Sequence, residues 1–196
     1  MATLKYIIGD CLDPVRENPN NWAIIAHVVN NKGAFGAGVA LQISKQFPDA
    51  KRHYKEWTHS STFKLGAVEF TIIETEYLVI AHLCAQDGLP EEGNPTPLRY
   101  GAMKDCIVKL GIAAEDMKAE IHMPKIGCGY ARGKWPLITP FLEKWIPNTV
   151  PVTVYFKPDD LDKPKFGPWL TRSKLAAATP LSECNDRTRK PRTWDR

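Results

Sequence analysis

Residues 22-WAIIAHVV-29 form a run of eight positions, apolar except for His27 and bounded by Asn21 and Asn30. A strand with one wet face alternates polar and apolar side chains; an unbroken run belongs to a strand covered on both faces. Such strands sit inside mostly parallel sheets, with helices packed above and below. The rest of the chain fits this plan. Strands are predicted over 4–9, 66–74, 77–85, 120–127 and 150–157, with a tight turn between the second and third of these. A helix is predicted from Gly38 to Pro48, carrying Val39, Leu41, Ile43 and Phe47. Another spans 97–110, with Tyr100, Met103, Ile107 and Leu110 on one face, and a third opens at Pro136 with proline in its first turn. Strands alternating with helices predict an α/β fold of three layers, a mixed but mostly parallel sheet between helices.

The chain has 196 residues and 43% hydrophobic content, enough for one α/β domain with length to spare. Residues 1–157 are expected to form that domain. Its five cysteines are scattered without a CxxC pair, which fits a reducing compartment rather than a disulfide framework or structural zinc. The N-terminus does not read as a signal peptide, and no apolar run approaches the ~20 residues that span a bilayer. A soluble cytoplasmic protein without a membrane partner is expected. The net charge of +4 falls in the tail: residues 157–196 carry ten Lys/Arg against six Asp/Glu, and residues 1–156 carry 16 of each. Residues 158–196, with five prolines and the ending RTRKPRTWDR, are expected to form an irregular, poorly ordered extension.

In such folds ligands bind beyond the carboxyl ends of the strands, where glycine turns lead into helices. Two turns of this kind occur, 33-GAFGAG-38 and 127-GCGYARG-133. Glycines admit positive φ and bring backbone N–H groups close to an anion, and a following helix N-terminus adds partial positive charge. The first turn is a diphosphate cradle in outline. It lacks the Lys-Ser/Thr of a P-loop, since Val39 and Ala40 follow the last glycine, and it misses the GxGxxG spacing of dinucleotide folds. Glycines serving only a tight turn and close packing are the alternative reading. Two such loops at one sheet end can grip the two sides of one phosphate-containing ligand.

The segments GDCLDP, HVVNNKGAFGAGVALQI and MPKIGCGYARGKW together resemble the macrodomain family from about Lys5 to Phe156. More narrowly, they resemble the branch of ADP-ribose-1″-phosphate phosphatases and enzymes that remove ADP-ribose from glutamate. The resemblance implies ADP-ribose or a derivative as ligand, no cofactor and no metal. It implies that Asp10 accepts from the adenine amino group, with Cys11 contributing backbone beside it. Gly36, Ala37, Gly38 and Val39 would wrap the diphosphate and distal ribose. Gly127, Cys128, Gly129, Tyr130 and Ala131 would form the second phosphate loop, with Cys128 as a small filler rather than a nucleophile. Phe35 would stack on the ribose or shield the pocket. Asn30 would hydrogen-bond the distal ribose, and His27 would act as acid or base or as a structural histidine behind Asn30. Asn30 and His27 are therefore the candidate catalytic residues. They can converge on one ligand only if the strand bends near Val29-Asn30, since an offset of three places them on opposite faces.

The chain departs from relatives that use a lysine nucleophile. Ala131 stands where their acid is expected, and 85-AQDGLPEEGNP-95 contains no lysine. A covalent lysine mechanism is disfavoured, leaving metal-independent water attack, with Asp87 as a further candidate to activate the water. Three functions remain open: a hydrolase acting on a terminal phosphate or an ester-linked ADP-ribosyl adduct of protein or nucleic acid, a non-catalytic ADP-ribose reader, and an interaction protein whose basic tail docks on nucleic acid.

Overall fold

The double burial expected of the 22–29 run follows from its place near the centre of a six-stranded sheet. The computed structural model describes residues 1–14, 16, 20–91 and 93–156. In chain order the elements are β1 (Leu4–Ile8), β2 (Ala23–Asn30), α1 (Gly38–Gln46), α2 (Pro48–Trp57), β3 (Val68–Ile73), β4 (Leu78–Gln86), α3 (Tyr100–Met117), β5 (Glu120–Pro124), α4 (Trp135–Trp145) and β6 (Val152–Phe156). A 3-10 turn at Glu74–Glu76 joins β3 to β4. The sheet order is β1-β6-β5-β2-β4-β3, with every neighbouring pair parallel except the antiparallel β3 and β4. This is the expected mixed, mostly parallel α/β arrangement. The extension expected over 158–196 lies outside the described residues.

Side-chain alternation along β2 sends Ala23, Ile25 and Val29 into one core and Ile24 and Ala26 into the other. The first core lies under α1 and α2, with Ile43, Ala50, Tyr54 and Trp57. The second lies under α3 and α4, with Met103, Ile107, Leu110, Ile138 and Leu142.

Two helices differ from expectation. Pro48 ends α1 as predicted, but it also occupies the first turn of α2, where its missing N–H is no loss. Ala50, Tyr54 and Trp57 then recur at helical spacing and are buried. Helix α3 continues seven residues past Leu110 through Gly111. A Cβ at Gly111 would lie 3.0 Å from Trp145 O and 3.2 Å from Ile146 Cα, so glycine there permits close approach of the end of α4.

Candidate functional site

The carboxyl ends of β1, β6, β5, β2 and β4 lie side by side, and a cleft of about 550 Å³ runs along them. From β1 to β4 is four strand spacings, roughly 19 Å, which suits an extended ligand. Asp10 and Cys11 line one end, following β1. The turn 127–131 after β5, the turn 36–39 entering α1, and His27 and Asn30 on β2 line the middle, and Gln86 and Leu89 follow β4. Every site residue expected from the sequence lines this cleft except Phe35 and the further candidate Asp87.

The two glycine turns meet across it. Gly38, Val39 and Ala40 open α1, ahead of the first intrahelical bond from Leu41 N–H to Ala37 O (3.2 Å), and no side chain caps this end. Their N–H groups and the helix dipole make an electropositive rim. Gly38 adopts φ +56°, and a Cβ there would meet the Tyr130 ring at 3.5 Å. Tyr130 is 60% exposed and forms one wall of the cleft.

The glycines divide between the two readings open at the sequence level. Gly127 has φ +74°, and a Cβ there would crowd Ile138 and Leu98 at 3.1 and 3.3 Å. Gly133 would drive a Cβ to 2.7 Å from Gly127 O. Those two serve turn and packing. At Gly36 and Gly129 an added Cβ would meet nothing within 4 Å, so neither is required by packing.

Asp10 combines both roles considered for it. Its Oδ1 accepts from Leu12 N–H at 3.0 Å in a turn, while the residue borders the cleft. Cys11 and Ala131 are buried and contribute little beyond small volume and backbone. Burial pushes the Cys128 thiol up to about 11, against a smaller opposing effect of Lys125, which disfavours the thiolate at neutral pH.

Asn30 lines the cleft and is also engaged within its own turn. The register of β2 against β4 shifts between Val29 and Asn30, supplying the required bend. The Asn30 amide then organises the turn it begins. Its Oδ1 accepts from Lys32 N–H and Ala34 N–H, both at 3.0 Å, and its Nδ2 donates to Ala34 O at 2.7 Å. Tyr54 donates its hydroxyl to Asn30 O at 2.9 Å, pinning the bend to α2. One Nδ2 hydrogen remains for the cleft.

His27 is 2% exposed, and burial lowers its pKa to about 3. Its Nε2 lies 2.7 Å from His82 Nδ1, and its Nδ1 has no hydrogen-bond partner among the described residues.

Phe35 is a correction. It turns inward, is 4% exposed, and packs its ring 4.8 Å from Tyr54 and 5.5 Å from His27. It supports the cleft from beneath, because Tyr54 and Trp57 of the unanticipated helix α2 create an aromatic core on that side. Asp87 also differs from expectation. Hydrogen bonds from Asn31 and then Arg99 hold its carboxyl below the usual range, and it ties the end of β4 to both instead of lining the cleft.

The sequence reading missed Gln86, Lys125 and Tyr155, which also line the cleft. Lys125 is the one cation in 123-MPKIGCG-129, which was a readable signal.

No protein-family model matches the chain. It is 30% identical over 161 residues to an uncharacterized 17.5 kDa protein of enterobacteria phage T4, covering 79% of this chain and 97% of the phage protein. It is 27% identical over 149 residues to an ADP-ribose 1″-phosphate phosphatase of Lodderomyces elongisporus, covering 72% and 92%. A protein of unknown function from Bacteroides thetaiotaomicron superposes with TM-score 0.72 at 33% identity, covering 79% and 98%. A macrodomain protein from Streptomyces coelicolor superposes with TM-score 0.66 at 29% identity, covering 79% and 99%. DarTG of Thermosipho africanus in complex with ADP-ribose shares the fold, with TM-score 0.61 at 16% identity over 74% of this chain and 40% of that one. With these relatives and structural neighbours, the chain belongs to the macrodomain family.

Proposed function

We propose that the cleft binds ADP-ribose and that the protein hydrolyses an ADP-ribose derivative, either ADP-ribose 1″-phosphate or an ester-linked ADP-ribosyl adduct, by metal-independent attack of water. The observation that carries this reading is one cleft, about 19 Å along the strand ends, with two glycine turns and an uncapped helix N-terminus at its centre. A diphosphate at that centre would receive N–H groups from both turns. Adenine would extend toward Asp10, where the carboxylate oxygen outside the turn accepts from an amino group. The distal ribose would extend toward Asn30, His27 and Gln86. Charge developing on a phosphate or ester oxygen in the transition state would be met by the same preset backbone dipoles. The ADP-ribose complex of DarTG and the activity named for the yeast relatives support the ligand and the reaction class.

Non-catalytic ADP-ribose reading is the second reading, and a specific observation favours it: the side chains able to move protons are constrained. Asn30 holds the turn, Asp87 is paired to Arg99, and His27 is buried neutral. Incubation with ADP-ribose 1″-phosphate, O-acetyl-ADP-ribose and mono-ADP-ribosylated protein, read by mass spectrometry, separates the two. Loss of phosphate or of the acyl bond supports the hydrolase. Binding of ADP-ribose with every substrate intact overturns it and leaves a reader.

A further inference from the structure

Four side chains cross the α1/α2 face of the sheet in one hydrogen-bonded line. His27 on β2 is paired in register with His82 on β4, with Nε2 and Nδ1 2.7 Å apart. His82 Nε2 is 3.2 Å from Thr71 Oγ1 on β3, and Thr71 Oγ1 is 2.9 Å from His53 Nδ1 on α2. His53 Nε2 ends the line 3.2 Å from Glu69 Oε1, back on β3. The inner members are sealed, with Thr71 6% and His82 0% exposed, whereas the His53 and Glu69 side chains are 36% and 30% exposed. At the inner end His27 is among the residues that line the cleft, and its buried Nδ1 has no partner among the described residues, an orphan that water or a ligand group would satisfy.

Donor and acceptor rules orient the line. The Glu69 carboxylate, at ion-pair distance from His53 Nε2, favours the hydrogen on that nitrogen. In neutral His53, Nδ1 is then an acceptor. The Thr71 hydroxyl donates to it, and the hydroxyl oxygen accepts from His82 Nε2–H. His82 Nδ1 accepts from His27 Nε2–H, and His27 Nδ1 is left as a lone pair. A proton added at His53 Nδ1 reverses every bond and leaves His27 Nδ1 as a donor.

We infer that this line is a proton relay joining the cleft to the α2 surface, with His53 as its outer terminus. Its use in turnover rests on the hydrolase reading; its existence does not. When an attacking water gives a proton to His27 Nδ1, three transfers follow. His27 Nε2–H passes to His82 Nδ1, His82 Nε2–H to Thr71 Oγ1, and the Thr71 hydroxyl proton to His53 Nδ1. At each step one N–H or O–H bond forms as another breaks, and no electrons are exchanged. The positive charge ends on His53, beside Glu69 and solvent. The reverse run delivers a proton from His27 Nδ1 to a leaving group. This removes an obstacle, because burial makes His27 a poor place to keep a proton, and burial followed by the neighbouring His27 and His53 does the same to His82. A base that passes its proton on need not keep it.

The charged surroundings are simple. His53 faces Glu69 and Thr71 from β3 and His82 from β4. On its own helix Arg52 is paired with Asp49 and Glu56, and α1 brings only Lys45, which is ion-paired with neither His27 nor His53 among the described residues. His27 faces His82 and the Phe35 ring.

The test reads imidazole tautomers by NMR of the full chain carrying isotope-labelled histidine. In alkaline solution His27 holds its proton on Nε2, and acidification moves it to Nδ1. Thr71→Val keeps the shape, removes the hydroxyl and uncouples His27 from His53; Thr71→Ser restores the coupling. His53→Gln, with its fold checked by a thermal melt, holds His27 in one tautomer throughout. With an accepted ADP-ribose derivative, Thr71→Val and His53→Gln lower kcat roughly 100-fold or more at little-changed KM, and Thr71→Ser recovers it. A His27 proton on Nδ1 at every pH, or a response that persists in both Thr71→Val and His53→Gln, overturns the relay. Coupled tautomers in a protein that turns nothing over keep the relay and overturn the hydrolase reading. Undiminished kcat in both variants overturns the relay's part in catalysis.

Discussion

Removing the Asn30 amide by Asn30→Ala tests whether this residue acts on the ligand or on the turn. The substitution deletes three hydrogen bonds, to Lys32 N–H, Ala34 N–H and Ala34 O, and leaves three backbone groups unsatisfied in a partly buried turn. At about 1 kcal/mol net for each neutral bond, with a further penalty where water cannot replace the partner, the loss is about 2 to 4 kcal/mol. For a domain of this size that lowers Tm by roughly 5 to 15 °C. The turn carries Gly33 at φ +72° and leads into α1, so its loosening also displaces the N–H groups that rim the cleft. ADP-ribose affinity and turnover are therefore expected to fall together. Asn30→Asp keeps an acceptor for both N–H groups and loses only the donor to Ala34 O, so its Tm should lie between the parent and Asn30→Ala. Thermal melts, calorimetry and kinetics on the three proteins decide the matter. An Asn30→Ala protein that melts with the parent and binds ADP-ribose normally, yet has lost turnover, would refute the turn-holding role.

Three further outcomes are expected. Calorimetry without added metal should detect ADP-ribose binding, with adenosine at least about 100-fold weaker, since two lost charge-assisted bonds account for roughly 3 kcal/mol or more; equal affinities would remove the glycine turns from the site. Gly38→Glu, at φ +56° and against the Tyr130 ring, should abolish ADP-ribose binding while lowering stability by only about 1–2 kcal/mol; a folded variant with parental affinity would show that this turn does not hold the ligand. Stability should fall in acid, because His27 has a folded pKa of about 3 against 6.5 when unfolded, so the unfolded chain binds the extra proton. The contribution is complete above pH 6.5 and is lost as pH falls toward 3, with a slope near 1.4 kcal/mol per pH unit for each histidine that stays neutral. Denaturant melts across that range should show this slope, and a flat profile would mean that the buried histidines accept protons in the folded state.

Much of this architecture was legible because local chemistry dictates it. A short apolar run rich in β-branched residues, interrupted only by His27, reads as a doubly covered strand, and glycines at 38 and 127 stand where the backbone takes positive φ. The bend at Val29-Asn30 was readable from the polar residues that follow it. Helix α2 was not, because Pro48 was read only as a stop, although the same ring geometry that ends α1 suits the first turn of the next helix. That omission had a consequence for the site. Without α2 there was no Tyr54 to draw Phe35 inward, and Phe35 was left on the ligand side.

The histidine line shows where local reading stops. His27, His53, Thr71 and His82 are dispersed over 56 positions, on four elements, and no spacing rule relates them. They meet because β4 lies between β2 and β3 and because α2 covers that side of the sheet. Sheet order is set by which strands bury the most surface together, a property of the whole chain. Its result can still be recognised in the two faces of β4. One face carries Val79, Ala81, Leu83 and Ala85, all apolar, while the other interrupts Leu78, Ile80 and Cys84 with His82. A fully buried imidazole with both nitrogens engaged by side chains would cost less if replaced by a well-packed hydrophobe, were packing its only role. An interruption of this kind on one face of a central strand calls for partners on both sides, and here those partners lead from the cleft to the surface.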